Sequence, residues 1–196
     1  MEKEIENFKV YLKEITAIDD ESFDIAIKYL QVEKIGKGDF LVKEGAVCHK
    51  IAFIYKGLFR IYNLKDGNEI NTCFCRENSI SSSFNSFIYQ IPAKESVQVL
   101  EDSVIVTLTA TGLDELQRVS AVWQTIRLML TEKECLRLTD RAESLSFESA
   151  LEKYKNLLKY QPEIIQRVPV QHIASYIGVS RETLSRIRSK IKSSIL

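Results

Sequence analysis

The run Val168-Pro-Val-Gln-His-Ile-Ala-Ser-Tyr-Ile-Gly-Val-Ser-Arg-Glu-Thr-Leu-Ser-Arg-Ile-Arg-Ser-Lys-Ile constrains the fold more than any other stretch of the chain. It reads as two short helices meeting at a tight turn. The first is predicted to start near Val170, after Pro169, and to bury Ile173, Ala174 and Ile177, which recur at helical spacing. Ala174 is small enough to let a second helix cross closely. Gly178 supplies the left-handed backbone of a helix stop. Ser180 then caps a new helix by accepting from its free N–H groups, and Glu182 suits the positive end of that helix dipole.

On the second helix Leu184, Ile187 and Ile191 share one side, while Arg181, Glu182, Ser185, Arg186 and Ser189 cluster on the other. The apolar side packs, so the polar side is offered outward. A helix-turn-helix of this kind lays its second helix in the major groove, where Arg donates two hydrogen bonds to guanine and Glu accepts from cytosine. Arg188 and Lys190 flank the face and suit phosphates. The plainer alternative is a helical hairpin with a solvated charged face.

The core Ile173-Ala-Ser-Tyr-Ile-Gly-Val-Ser-Arg-Glu-Thr-Leu-Ser-Arg-Ile resembles the DNA-binding signature of the Crp/Fnr family of bacterial transcription regulators. The resemblance implies base contacts from Arg181, Glu182 and Arg186, with Ser185 beside them. It also implies backbone contacts from Ser180, Thr183, Arg188 and Lys190.

Charge agrees with a polyanion partner at this end only. The whole chain balances to zero, yet from Ala150 onward nine bases face three acids, about +6, leaving about −6 before it. Nothing points to export or a membrane: Met1-Glu-Lys-Glu-Ile-Glu lacks the basic-then-apolar pattern of a signal, and no apolar run approaches bilayer length. The cytoplasm is therefore expected, with no membrane partner. Cys48, Cys73, Cys75 and Cys135 are expected to be thiols there. Cys73 and Cys75 alternate on one strand face, but no further close ligands accompany them, so no metal site is assigned. No Ser/His/Asp, Cys/His or paired-carboxylate arrangement stands out, and no catalytic residue is assigned.

Earlier in the chain Ile5, Phe8, Leu12 and Ile15 recur at helical spacing, and Asp20 to Leu30 forms a second amphipathic stretch opened by Asp20 or Ser22. From Val32 to about Leu108 short alternating segments are punctuated by Gly, the texture of strands. Asp66-Gly67 lies between two such segments and is a strong hairpin signal, because both positions tolerate positive φ. A compact antiparallel β-roll follows. From Leu113 to about Ser144 there is neither Gly nor Pro, and Val122, Ile126, Met129, Leu130, Leu136 and Leu138 form a stripe, which predicts one long helix.

The segments Lys37-Gly-Asp-Phe-Leu-Val-Lys-Glu-Gly and Phe53-Ile-Tyr-Lys-Gly-Leu-Phe-Arg-Ile-Tyr extend the resemblance to the cyclic-nucleotide-binding fold. The expected class is α+β, in three parts. Residues 1–112 form an antiparallel sensory β-roll with N-terminal helices, residues 113–144 a long dimerisation helix, and residues 145–196 an all-α helix-turn-helix domain. Only Ile191-Lys-Ser-Ser-Ile-Leu follows the recognition helix, too short for the family's hairpin wing. The resemblance implies double-stranded DNA, a second copy of the chain and RNA polymerase as partners. A sensor whose C-terminal helices bind a protein instead of DNA is the alternative.

The resembled pocket departs from its family. Relatives that bind cyclic AMP use a Gly-Glu pair and an Arg-Ser pair; here Ser82 or Ser83 stands at the carboxylate position, Ala93 at the Arg and Lys94 at the Ser. Cyclic AMP is not expected to bind, and no cofactor is assigned. Ser81, Ser82, Ser83 and Asn85, with Lys94, Ser96 and Thr139, remain candidates for another small polar effector or are simply surface groups. His49 is expected in solvent, and His172 near phosphate or as helix filler.

Overall fold

The structure, a computed structural model, describes residues 2–193. Helix α1 (Glu2–Ile15) buries Phe8, Tyr11 and Leu12, as its spacing predicts. Helix α2 spans Asp20–Ile27, but its cap is Asp19 and not Asp20 or Ser22. Asp19 is extended, which aims its carboxylate at the Ser22 amide, 2.7 Å away.

Eight strands follow: β1 (Leu30–Ile35), β2 (Phe40–Val42), β3 (Lys50–Lys56), β4 (Phe59–Lys65), β5 (Asn68–Cys75), β6 (Ser79–Ser81), β7 (Ser96–Val99) and β8 (Ser103–Thr109). A short helix, α3 (Phe84–Tyr89), separates β6 from β7. They form two four-stranded sheets, ordered β1-β8-β3-β6 and β2-β7-β4-β5. In the first, Leu30 pairs with Leu108 and Ile54 with Ile105, antiparallel. The Asp66-Gly67 turn takes φ of 51° and 76°, the positive values that let a two-residue loop follow the strand twist.

The long helix expected over 113–144 is two helices, α4 (Ala110–Val119) and α5 (Ala121–Phe147), broken at an extended Ser120. No Gly or Pro marks this break. A tertiary contact accompanies it: Trp123, buried just after the break, donates its indole N–H to the Ser22 carbonyl at 3.0 Å, satisfying a donor that burial would otherwise strand. Helices α6 (Ala150–Tyr160), α7 (Pro162–Arg167), α8 (Val170–Ile177) and α9 (Arg181–Ser193) complete the chain. Helix α6 opens on a reciprocal cap between Ser149 and Glu152, and α7 on Pro162.

Two compact units result, one of Met1–Ile61 with Phe74–Cys135 and the other of Tyr62–Cys73 with Leu136–Leu196. The first is centred on Phe53, fully buried beneath α1, with Phe8 and Tyr11 rings each 5.2 Å from its own. In the second, Tyr154, Leu157, Ile164, Ile173, Ala174, Ile177 and Leu184 are buried together. Among the described residues no helix is long and apolar enough to cross a membrane.

Gly57 is the tightest backbone approach in the roll: its φ is +122°, and a Cβ there would lie 1.9 Å from Ser103 Oγ and 2.9 Å from Ser103 Cα. Gly57→Ala is expected to cost roughly 2–4 kcal/mol, from combined backbone strain and overpacking. The check is the urea midpoint, and an unchanged value would show that strands at 57 and 103 do not approach this closely.

Candidate nucleic-acid interface

Helix α8 begins at Val170 and ends on Gly178, whose φ of 86° and ψ of 35° are left-handed. The amide of Gly178 donates to Ala174 O and Ser175 O at 2.9 and 3.1 Å, and that of Val179 to Ala174 O at 3.0 Å, so the freed carbonyls are satisfied. Ser180 caps α9: its Oγ accepts from the Thr183 amide at 3.2 Å and donates to the Thr183 hydroxyl at 3.2 Å. Leu184 is completely buried, packing α9 against α8.

That burial leaves the other side of α9 in water. Arg181, Glu182, Ser185 and Arg186, the four predicted base-contacting residues, are all exposed along it, and Ser189 and Lys190 are exposed as well. Of the predicted phosphate contacts, Ser180 is exposed and Thr183 half-buried, each engaged by the other in the cap. Glu182 is held below the usual carboxylate range by hydrogen bonding first from its own backbone amide and then from the Ser180 hydroxyl, with Arg181 and Arg186 adding attraction. It stays an anion, hence an acceptor, at neutral pH.

Arg188 corrects the sequence-based expectation that it flanks this face. Its guanidinium lies 5.7 Å from the Tyr154 ring centroid, and its Nε and Nη2 are buried with no acceptor. The reason is helical phase: Arg188 stands four residues after Leu184 and so above the packed side. The expectation that no wing follows α9 concerns residues 194–196, which lie outside the described residues.

In the roll, the hydroxyls of Ser82, Ser83 and Ser96 are engaged within the protein, whereas Ser81 Oγ is buried with no hydrogen-bond partner. Ser82 and Ser83 are buried; Ser82 Oγ lies 3.3 Å from Cys48 Sγ, and Ser83 Oγ donates to Glu95 Oε1 at 2.5 Å. Ser96, also buried, accepts from the Glu44 amide at 3.0 Å. Lys94 is exposed, and Thr139 is exposed on α5 in the other unit. Of the remaining candidates, Ser81 is buried rather than a surface hydroxyl and Asn85 is exposed. His49 is exposed, its Nδ1 2.8 Å from Gln90 Oε1.

Sequence reasoning missed Glu95, the carboxylate that takes the Ser83 hydroxyl. It missed Arg60, a cation buried within the roll and bonded through Nε and Nη2 to Gln98 Oε1 at 2.9 and 2.6 Å. It also missed Ser175 and Tyr176 on α8. Alternation along β4 marks Arg60 as facing the same way as Leu58 and Tyr62, a signal that was available. Among the described residues no three His, Cys, Asp or Glu side chains are grouped to hold a metal ion, and all four cysteines are thiols.

Residues 32–119 match the family model of the cyclic nucleotide-binding domain. Solved structures share the fold over most of the chain. The c-di-GMP responsive global regulator CLP of Xanthomonas campestris is 17% identical, with 91% of this chain and 94% of that one covered and a TM-score of 0.70. FixK2 of Bradyrhizobium japonicum is 16% identical over 84% and 85% of the two chains, with a TM-score of 0.70. The catabolite activator protein of Thermus thermophilus is 18% identical over 94% and 87%, with a TM-score of 0.59. No curated protein sequence matches the chain. The protein is thus an α+β chain that joins a cyclic-nucleotide-binding-type roll to C-terminal helices, with the fold of bacterial regulators.

Because the resemblance puts buried Ala93, which carries no charge, at the position of the Arg that a cyclic phosphate needs, cyclic AMP is expected to leave the thermal midpoint unchanged. A true ligand at about 100 times its Kd adds about 2.7 kcal/mol by mass action. A midpoint raised by several degrees with millimolar cyclic AMP would reject this assignment of the pocket.

Proposed function

We propose that this chain is a Crp/Fnr-type transcription regulator that binds a palindromic DNA site as a homodimer in the cytoplasm, without catalysis and without cyclic AMP as its effector. The observation that carries the reading is the exposed ridge of Arg181, Glu182, Ser185 and Arg186, behind a left-handed Gly178 turn, on a helix fixed by fully buried Leu184. Arg181 and Arg186 read guanines and Glu182 a cytosine. Ser180, Thr183 and Lys190 set the register on phosphates. Helices α8 and α9 are the helix-turn-helix, the roll is the sensory domain, and RNA polymerase is the protein partner that the family resemblance suggests. Any effector of the roll is a small molecule other than cyclic AMP.

Helix α5 supplies the dimer. Ile126 and Leu130 from the predicted stripe, and Trp123 beside them, are buried in its own unit, but Leu128, Thr131, Cys135, Leu138, Ala142 and Leu145 are all exposed. Their spacing alternates three and four residues, the repeat of a two-stranded coiled coil. In a parallel two-fold pair every such residue meets its own copy.

Arg181→Ala is expected to cost about 1–3 kcal/mol at its own base pair and to relax preference there, whereas Lys190→Ala weakens all duplexes alike. Selection from randomised duplex, followed by gel shift with each variant, checks this; equal losses for Arg181→Ala on selected and random DNA reject its role. Failure to select a two-fold sequence at all favours a protein partner for these helices. A second check uses the native thiol: mild oxidation with diamide should give a covalent dimer through Cys135, because the other three cysteines are buried. A chain that stays monomeric on non-reducing gels, with Cys135 still reactive to maleimide, excludes this seam.

A further inference from the structure

The two residues that precede the α8 turn are held from two sides, and neither hold belongs to the reading face. Ser175 Oγ accepts from the Asn71 amide at 3.0 Å and donates to the Glu69 carbonyl at 2.6 Å. Glu69 and Asn71 lie on β5, the edge strand of its sheet, where backbone groups two residues apart point outward to whatever docks there. One hydroxyl therefore serves both a donor and an acceptor of an open sheet edge. The next residue, Tyr176, is fixed by α5: Arg141 Nη2 donates to its carbonyl at 2.5 Å, and the guanidinium stacks on its ring at 3.9 Å.

The hairpin segment Tyr62–Cys73, α5 from Leu136 onward and helices α6 to α9 form one compact unit, so all these contacts lie inside it. Their placement matters because a dimeric reader needs its two recognition helices about one helical turn of DNA apart. A head that rotates freely on its dimer helix presents that spacing only part of the time, and apparent affinity falls by the fraction that is competent.

We infer that Ser175 and Arg141 are positioning residues for DNA recognition: together they clamp α8 to the β5 edge and to α5, and so fix where α9 stands relative to the dimer helix. Neither touches DNA.

The inference rests on the proposed DNA binding, and its test separates the two. Ser175→Ala should speed amide hydrogen exchange at Asn71 in the full-length protein, with no DNA present. It should weaken binding to the selected palindrome roughly tenfold, the scale of the hydrogen bonds lost, and leave binding to an isolated half-site unchanged. Ser175→Thr, which keeps the hydroxyl, should restore both, and Arg141→Lys, which keeps charge but loses the stacked fork, should behave like Ser175→Ala. Equal losses on palindrome and half-site, an unchanged palindrome affinity, tighter binding, or unaltered Asn71 exchange each overturn the clamp. Wild-type protein that selects no palindrome defeats the DNA reading instead, while the Asn71 exchange result still reports on the clamp.

Discussion

Burial of Leu184 is the constraint on which the rest of the C-terminal unit depends. A helix has only two sides to offer, and once Leu184 is locked against α8 the opposite side has nowhere to go but water. Arg181, Glu182, Ser185 and Arg186 are presented because of that packing, not because of any contact of their own. Arg188 illustrates the same rule from the other side, since its position above Leu184 turns it onto Tyr154. The exposed cationic face of α9 is therefore narrower than a count of its basic residues implies.

The roll solves a different problem with similar chemistry. Its buried Ser82, Ser83 and Ser96 bond to Glu95, Cys48, Lys50 and Glu44 of the same unit. Buried Ser82, Ser83 and Ser96 find partners within the protein, whereas Ser81 Oγ is buried with no hydrogen-bond partner.

Helix α8 is held from two sides, by the β5 edge at Ser175 and by Arg141 of α5 at Tyr176. Hydrogen bonds to an edge strand are well suited to signalling, because they depend on backbone position and so respond to any shift of the strand, whatever its side chains. The stacked Arg141–Tyr176 pair adds rigidity on the α5 side.

Much of this was legible in the sequence, wherever a local rule has one solution. Gly178 followed by Ser180 permits little besides a helix stop and a new cap, and Asp66-Gly67 between alternating strands permits little besides a hairpin. Helix α8 and the exposed face of α9 follow from periodicity alone. What only the tertiary structure decided involves partners distant in the chain: the break at Ser120, accompanied by Trp123 reaching the Ser22 carbonyl, the pairing of Ser83 with Glu95, and the inward turn of Arg188. Ser175 reads locally as one more polar helix residue, and its role appears only when β5, over a hundred positions earlier, lies beside it. Short-range pattern fixes backbone conformation because it is set by neighbours in sequence. Hydrogen-bond partners are set by neighbours in space, and no local pattern encodes them.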